Sequence, residues 1–244
     1  MTRTCVLALA LLIAPALSWA APSGLGDMDP EVDPHDKPSL QRGAKLFANY
    51  CMACHEASLI RYNRIGQDLG IDDDLLQKHL VFKPETQIQE TMTNAMTTAD
   101  AEEWFGVEAP DLSLTARRHG PEYIYTFLNR FYVDEDAVLG FNNTEIEGTA
   151  MPHVLEGLQG RQHPVYEEHN GEEVLVGFEL EEGSGSMTER EYRQATRDIT
   201  NFLDYVAEPV KAERQRLGKW VLLFFAVFTV LAYFLKKEYW KDVH

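Results

Sequence analysis

Five consecutive residues, Cys51-Met52-Ala53-Cys54-His55, constrain this chain more than any other stretch. Two thiols three positions apart and a histidine directly after them form the C-x-x-C-H pattern that attaches a c-type haem. Each thiol can form a thioether with one vinyl group of the porphyrin, and His55 can then ligate the iron. The pattern predicts one covalently attached haem c and a domain that folds around it.

Two other kinds of site use a C-x-x-C pair, namely thioredoxin-like redox sites and zinc sites. A four-cysteine zinc site would need two more cysteines, but the chain has 3 cysteines, and the third is Cys5. A redox dithiol does not need a histidine in the next position. The five-residue pattern therefore favours haem attachment.

Stretches near the two ends predict export and membrane anchoring. Residues 1–20 combine Arg3, an apolar run and small residues before Ala21, as a cleavable signal peptide does. Residues 220–235 carry no charge, and as a helix they would cover about 24 Å of a hydrocarbon core of about 30 Å. A buried core helix is the alternative, but this run has no polar face.

These two segments divide the chain into four parts. We expect a signal peptide over 1–20, a periplasmic c-type haem domain over 21–216, a transmembrane anchor over 217–236 and a cytoplasmic tail over 237–244. The chain would then be a single-pass protein of the bacterial inner membrane, because an exported N-terminal body leaves the C-terminus in the cytoplasm.

The charge of the chain is strongly acidic. It has 22 basic and 39 acidic residues, a net charge of −17, which excludes nucleic acid as a partner because phosphates require a cationic surface. Seven glutamates, with no lysine or arginine among them, lie between Glu167 and Glu182. Such a run is either a solvated face or a docking site for a basic electron acceptor.

Helical patterns lie on both sides of the haem motif. Ser39 is expected to cap a helix that runs into Cys51, with Leu40, Gly43 and Phe47 on one face. Gly43 would allow a second helix to pack closely. Further helices are expected over 71–82 and 121–132.

The second half of the chain contains turn and capping signals. Asn170-Gly171, between apolar stretches at 165–166 and 174–180, predicts a β-hairpin. The Gly-Ser-Gly-Ser stretch at 183–186 is expected to be a flexible joint. Thr188, with Glu191 three positions later, fits the capping box of a long helix that Pro209 interrupts.

An electron-transfer haem needs a sixth iron ligand, and methionine gives a higher reduction potential than histidine. Met151 is a candidate because Pro152 holds the chain extended just after it. Met52 lies inside the attachment loop on the side of His55 and is excluded. Spacing alone leaves the other methionines and histidines open: Met28, Met92, Met96, Met187, His79, His119, His153 and His163.

Several stretches, in this order along the chain, resemble the cytochrome c1 family, the membrane-anchored haem subunits of bacterial quinol–cytochrome c oxidoreductase (bc1) complexes. They are Arg42-Gly43-x-x-x-Phe47-x-x-x-Cys51-x-x-Cys54-His55, Ala109-Pro110-Asp111-Leu112-Ser113, Ala150-Met151-Pro152-His153-Val154-Leu155 and the C-terminal span. The resemblance implies a mainly α, class I c-type cytochrome fold with long insertions, a small β-hairpin and one C-terminal transmembrane helix.

The resemblance also implies roles for individual residues. Cys51 and Cys54 would form the thioethers, His55 would be the proximal ligand and Met151 the distal ligand. An arginine after the Pro-Asp-Leu-Ser stretch would lie near a haem propionate, and either Arg117 or Arg118 can be that residue, with Tyr123 nearby. Pro110 would pack on the haem edge.

As a member of that family the chain would accept an electron from a Rieske iron–sulfur protein and pass it to a c-type cytochrome. Cytochrome b would oxidise the quinol in the same complex, so this subunit would have no quinol-oxidation site, and the complex would be dimeric. Two alternatives are a tethered monohaem cytochrome serving another oxidase or dehydrogenase, and a haem-based gas sensor with a readily displaced sixth ligand.

Overall fold

The computed structural model describes residues 25–169 and 171–242. The predicted signal peptide, residues 1–20, lies outside the described residues. Within them the chain is mainly helical, as expected for this fold class, and the helices are α1 (Lys37–Tyr50), α2 (Tyr62–Leu69), α3 (Asp73–His79), α4 (Thr98–Phe105), α5 (Thr115–His119), α6 (Pro121–Asn129), α7 (Glu156–Gln159), α8 (Glu189–Ala207) and α9 (Lys211–Tyr239).

The strands form three antiparallel pairs, which are β1 (Ala57–Arg61) with β2 (Thr91–Met92), β3 (Phe131–Val133) with β4 (Phe141–Asn143), and β5 (Gln162–His169) with β6 (Glu172–Leu180). The last pair is the predicted hairpin, and Gly171 at its turn has φ +85°, a conformation that favours glycine. The helices predicted over 71–82 and 121–132 are both shorter. The second ends at Asn129 because the residues after it pair as β3 with β4.

The packing of α1 against α8 forms the centre of the core. Leu40 and Phe47 on α1 are buried, and the ring of Phe47 lies 5.6 Å from that of Phe202 on α8. Gly43 makes the closest approach, since a Cβ built there would lie 2.0 Å from the carbonyl oxygen of Asp198. The predicted role of Gly43 in close helix packing is thereby confirmed.

The prediction that Ser39 caps α1 is wrong. Asp36 is the capping residue, and its carboxylate accepts a hydrogen bond of 3.1 Å from the backbone N–H of Ser39. Ser39 is buried, and its hydroxyl donates to Asp198 at 2.7 Å. Arg42 donates to the same carboxylate at 2.6 Å and 2.9 Å, so a buried carboxylate joins the two helices.

The stretch 183–186 is not the flexible joint that its composition predicts. The Ser184 hydroxyl accepts from the Arg161 N–H at 2.8 Å, and the Ser186 N–H donates to the Gly157 carbonyl at 3.1 Å. A Cβ on Gly185 would lie 2.4 Å from the backbone of Gln159. Glycine is present here because two chain segments touch, and the turn fastens α7 to the start of α8.

Helix α8 begins and ends as its sequence predicts. Thr188 and Glu191 form the capping box, and the helix ends at Ala207, before Pro209. Across the break, Lys211 lies 2.6 Å from Asp204 and Arg214 lies 2.5 Å from Glu208. These two ion pairs connect the end of α8 to the first turns of α9.

Among the described residues, α9 is the one helix that is long and apolar enough to cross a membrane. Its apolar side chains are all exposed, from Leu217 to Tyr239, as expected of a helix that lipid would cover. It begins at Lys211 and so extends beyond the predicted span of 217–236 at both ends.

Candidate functional site

A mostly apolar cavity of about 600 Å³ opens beside the C-terminal end of α1. Its walls come from the Cys51–His55 turn, the segment from Phe105 to Leu114, helices α5 and α6, the loop from Gly148 to Pro152, and Ile199 and Leu203 of α8. A volume of this size lies in the range of protein sites for cofactors and small ligands, about 300–1,000 Å³.

The Cys51–His55 turn continues the course of α1. The Cys51 N–H donates to the Phe47 carbonyl at 2.9 Å, and the His55 N–H donates to the Cys51 carbonyl at 2.8 Å. The Asn94 side chain, itself buried, donates to the Cys54 carbonyl at 2.5 Å. These bonds bring Cys51, Cys54 and His55 to one wall of the cavity.

The two cysteines form no disulfide, and their surroundings favour an uncharged sulfur. Burial, with a smaller contribution from Cys54, raises the pKa of the Cys51 thiol to about 12. Burial also raises the pKa of Cys54. A redox dithiol and a zinc site both require thiolates, whereas a thioether is neutral, so the wall fits thioether attachment.

His55 is oriented by the backbone of Pro110. Its Nδ1 lies 2.8 Å from the Pro110 carbonyl oxygen, and because a carbonyl can only accept, Nδ1 carries the proton. Burial lowers the pKa of His55, against the smaller opposite effect of that carbonyl. The imidazole is therefore neutral, with Nε2 free to ligate a metal.

The loop that carries Pro110 is held by Asp111. Its carboxylate accepts from the Ser113 N–H at 2.7 Å and from both the N–H and the hydroxyl of Ser58. Burial raises the pKa of Asp111, but the bonds from Ser113 and Ser58 together outweigh it and lower the pKa. The sequence signal for this role is the aspartate itself, because Asp side chains commonly accept from the backbone N–H two residues later.

Met151 borders the cavity that holds His55. The other methionines of the described residues do not: Met92 is fully buried in the core, Met52 and Met187 pack against the core, Met96 borders a separate polar pocket, and the N–H of Met28 donates to Thr126.

One rival histidine also borders the cavity. His119 lies on its wall, with its ring stacked on Tyr123 at 4.9 Å. His153 is buried outside the cavity against Phe131, His79 ends α3, and His163 is exposed on β5. Of the candidate methionines and histidines in the described part of the chain, the geometry thus leaves Met151 and His119 as side chains that could face His55.

The two candidate arginines lie in different places. Arg118 borders the cavity together with Tyr123, whereas Arg117 does not. Arg117 lies near Glu208, whose pKa is lowered mainly by the hydrogen bond from Arg214 and to a smaller extent by the charge of Arg117. Burial, and the nearby charge of Glu145, raise the pKa of Tyr123. An anionic group at the edge of the cavity would therefore meet Arg118.

Comparisons with known proteins agree with this site. The sequence model of the Cytochrome C1 family matches residues 28–243. The chain is 46% identical over 245 residues to cytochrome c1 of Allochromatium vinosum, covering 99% of this chain and 100% of that protein. It is 40% identical over 238 residues to the ammonia monooxygenase gamma subunit of Nitrosomonas europaea, covering 98% of this chain and 97% of that protein. It is 25% identical over 245 residues to cytochrome c1 of Rhodospirillum rubrum, covering 86% of this chain and 83% of that protein.

Proposed function

Because this chain belongs to the cytochrome c1 family, we propose that Cys51 and Cys54 would attach its one haem c and that His55 and Met151 would hold the iron. The protein is the electron-transfer haem subunit of a quinol–cytochrome c oxidoreductase (bc1) complex, anchored in the membrane. The observation that carries the ligand assignment is one apolar cavity bordered by both thiols, His55 and Met151.

The residues present fit a haem. The cavity is apolar, its thiols are protonated, and His55 has Nε2 free because Nδ1 donates to Pro110. When bound, the haem supplies a one-electron redox centre. Cys51 and Cys54 would hold it through thioethers, the Pro110 carbonyl would orient the imidazole of His55, and a thioether ligand from Met151 would raise its reduction potential.

Met151 is the better distal ligand of the two side chains that border the cavity. It lies in the stretch from Ala150 to Leu155 that carries the resemblance to the family, whereas His119 is exposed at the end of α5 and stacks on Tyr123. Arg118, on the cavity wall, would pair with a haem propionate, and Arg117 would not.

The partners follow from membership of the complex. A Rieske iron–sulfur protein would donate the electron, cytochrome b would oxidise the quinol, and a c-type cytochrome would accept the electron from this subunit. The complex would be dimeric. The haem domain would lie on the periplasmic side of the bacterial inner membrane, with residues 237–244 in the cytoplasm, because the body precedes the anchor and would be exported.

The acidic hairpin β5–β6 is the surface that we assign to the acceptor. Glu167, Glu168, Glu173 and Glu179 are exposed on it, and Glu168 pairs directly across from Glu173. Two like charges opposite each other destabilise a hairpin. Folding stability therefore does not explain this arrangement, which favours a role in binding a partner. A basic acceptor would be steered there by charge.

A pair of charge reversals tests the hairpin. Glu168→Lys with Glu173→Lys should slow the reduction of a basic cytochrome c and flatten the dependence of the rate on salt. Asp73→Lys with Asp74→Lys, exposed on α3, is the control with the same change of charge. Equal effects of the two double variants would show that only net charge matters, and would refute the docking surface.

The ligand set is tested by replacing one methionine at a time. Met151→Leu should remove the far-red absorption band of a methionine–iron bond from the oxidised protein and let the reduced protein bind carbon monoxide. Met187→Leu, at a methionine packed against the core away from the cavity, should change neither. A normal band in Met151→Leu would transfer the distal role to His119.

Membership of the complex is tested by purification through a tag after His244. Mild detergent should extract this chain with a b-type haem subunit and the electron-spin signal of a Rieske cluster. A lone c-type haem from intact, active membranes would instead indicate a free tethered carrier.

A further inference from the structure

His153 is the side chain near the cavity that the ligand set leaves without a role. It is 7% exposed and does not border the cavity, although Pro152 and Val154 on either side of it do. Its ring therefore points away from the haem site into the protein. A buried polar ring in this position needs a physical reason.

The ring of His153 is held by two aromatic rings of the β3–β4 pair. It stacks on Phe131 with a centroid distance of 4.8 Å and an interplanar angle of 7°, and it meets Phe141 edge to face at 5.4 Å. Phe131 and Phe141 lie on paired strands, so their positions are set by backbone hydrogen bonds. Aromatic pairs at these distances stabilise the packing beyond the burial of their surface.

The same stack reaches the cavity wall. Phe131 meets Phe127 at 5.1 Å, Phe127 meets Tyr123 at 6.3 Å, and both Phe127 and Tyr123 border the cavity. His153 is thus the end of an aromatic row that begins at the haem site. A shift of its ring would displace the side chains of the cavity wall, because packed interiors transmit strain.

The supports of the loop around Met151 lie at its start, where the Gly148 N–H donates to Asn142 at 2.8 Å and Glu145 pairs with Arg130 at 3.0 Å. Residues 144–152 form no helix or strand, and the hydrogen bond of the Met151 N–H is a local one, 3.3 Å to the Thr149 hydroxyl. The His153 carbonyl accepts from the Glu156 N–H at 3.1 Å, where α7 begins. The ring of His153, two residues after Met151, is the nearest deeply buried anchor on that side of the loop.

The ring acts through packing. Its Nε2 and the Oε1 of Gln159 both lack a hydrogen bond of good geometry in the described residues. Burial lowers the pKa of His153, and the neighbouring Gln159 side chain opposes that shift only in part, so packing is the main contact of the ring. A phenylalanine ring, which is flat and has no nitrogen, should therefore pack between Phe131 and Phe141 equally well.

We propose that His153 is a positioning residue for the distal ligand, and that its ring, packed between Phe131 and Phe141, keeps the Met151 sulfur directed into the haem cavity. The inference rests on the proposed assignment of Met151 as distal ligand. A displacement of about 1 Å at a site of this kind is enough to weaken it.

The test compares two variants. His153→Leu has a side chain of similar size but no flat ring, and His153→Phe keeps a flat ring. In the full chain in detergent, His153→Leu should lose the far-red band, and carbon monoxide should displace the ligand at about tenfold lower concentration, equivalent to about 1.4 kcal/mol of lost ligation. His153→Phe should retain the band and resist carbon monoxide as the parent protein does. If His153→Leu does not accumulate with haem, Phe131→Leu, which removes the stacked neighbour, takes its place.

Leu76→Ala separates positioning from general stability. Leu76 is fully buried and does not border the cavity, so this variant should lower Tm and leave the band unchanged. A lowered Tm with an intact band in His153→Leu would overturn the inference, as would equal loss of the band in the Leu and Phe variants. Met151→Leu in the same assay distinguishes the two proposals, because a band that survives it refutes the ligand assignment itself.

Discussion

Gly43→Ala should destabilise this protein, although alanine is the better helix former. Within α1 the substitution gains about 1 kcal/mol of helix propensity. The new Cβ would lie 2.0 Å from the Asp198 carbonyl oxygen and 2.7 Å from Cβ of Phe202. A contact of 2.0 Å must open by at least 1.0 Å to reach 3.0 Å, the shortest that real Cβ atoms adopt.

That displacement cannot be absorbed by a rotamer change, because the obstructing atom belongs to the backbone of α8. The two helices must separate, which reduces the packing of Phe47 against Phe202 and stretches the bonds to Asp198. Overpacking of this kind costs about 3 kcal/mol at the upper end of its range. The net loss is then about 2 kcal/mol, or about 4–8 °C in Tm for a chain of this size.

Thermal unfolding, followed by circular dichroism and by haem absorption, measures this effect. Gly157→Ala is the matched control, because a Cβ there has nothing within 4 Å, and its Tm should equal or slightly exceed that of the parent protein. A Gly43→Ala protein that melts at or above the parent temperature would show that α1 and α8 do not approach as closely as described, and would refute the reasoning.

Three further substitutions have defined outcomes. Burial, with a smaller contribution from Glu90, raises the pKa of Tyr62 to about 12. The contribution of Tyr62 to the free energy of unfolding is therefore fully present below its ordinary pKa of 10 and is lost as pH rises toward 12. Tyr62→Phe should flatten that loss in alkaline melts, and because the buried hydroxyl has no partner in the described residues, it should not reduce Tm at neutral pH. Arg118→Gln should lower the reduction potential, because it removes a positive charge from the cavity wall, and Arg117→Gln should change it less; equal shifts in a redox titration would contradict this. Asp198→Asn should cost about 2 kcal/mol in denaturant unfolding by weakening the bonds from Arg42, and no change would show that this carboxylate does not join the helices.

Signals between residues close in the sequence predict the turns and helix ends of this protein correctly. The hairpin with Gly171 at its turn, the Thr188–Glu191 capping box and the end of α8 before Pro209 are all present as predicted. Each depends on residues within a few positions of one another, so the physics of each is contained in the sequence. The mainly α fold with one C-terminal apolar helix also followed from such signals and from the family resemblance.

At two places a distant part of the chain outweighs a local preference. Ser39 has the composition of a helix cap, but a buried carboxylate 159 positions away bonds its hydroxyl, and Asp36 caps α1 instead. The glycines and serines at 183–186 suggest flexibility, yet Gly185 lies against the backbone of Gln159 at the end of α7, and the Ser186 N–H bonds the Gly157 carbonyl. Neither contact leaves a trace in the neighbouring sequence.

Local patterns in the sequence predict the chemistry of this protein, because haem attachment through Cys51, Cys54 and His55 depends on their fixed spacing, and a membrane anchor depends on an uncharged run of sufficient length. The tertiary structure decided which of many similar side chains reach the cavity. Met151 and Arg118 border it, whereas Met187 and Arg117 do not. Orientation toward a shared cavity depends on how helices and loops pack over long sequence separations, which the spacing of residues does not encode.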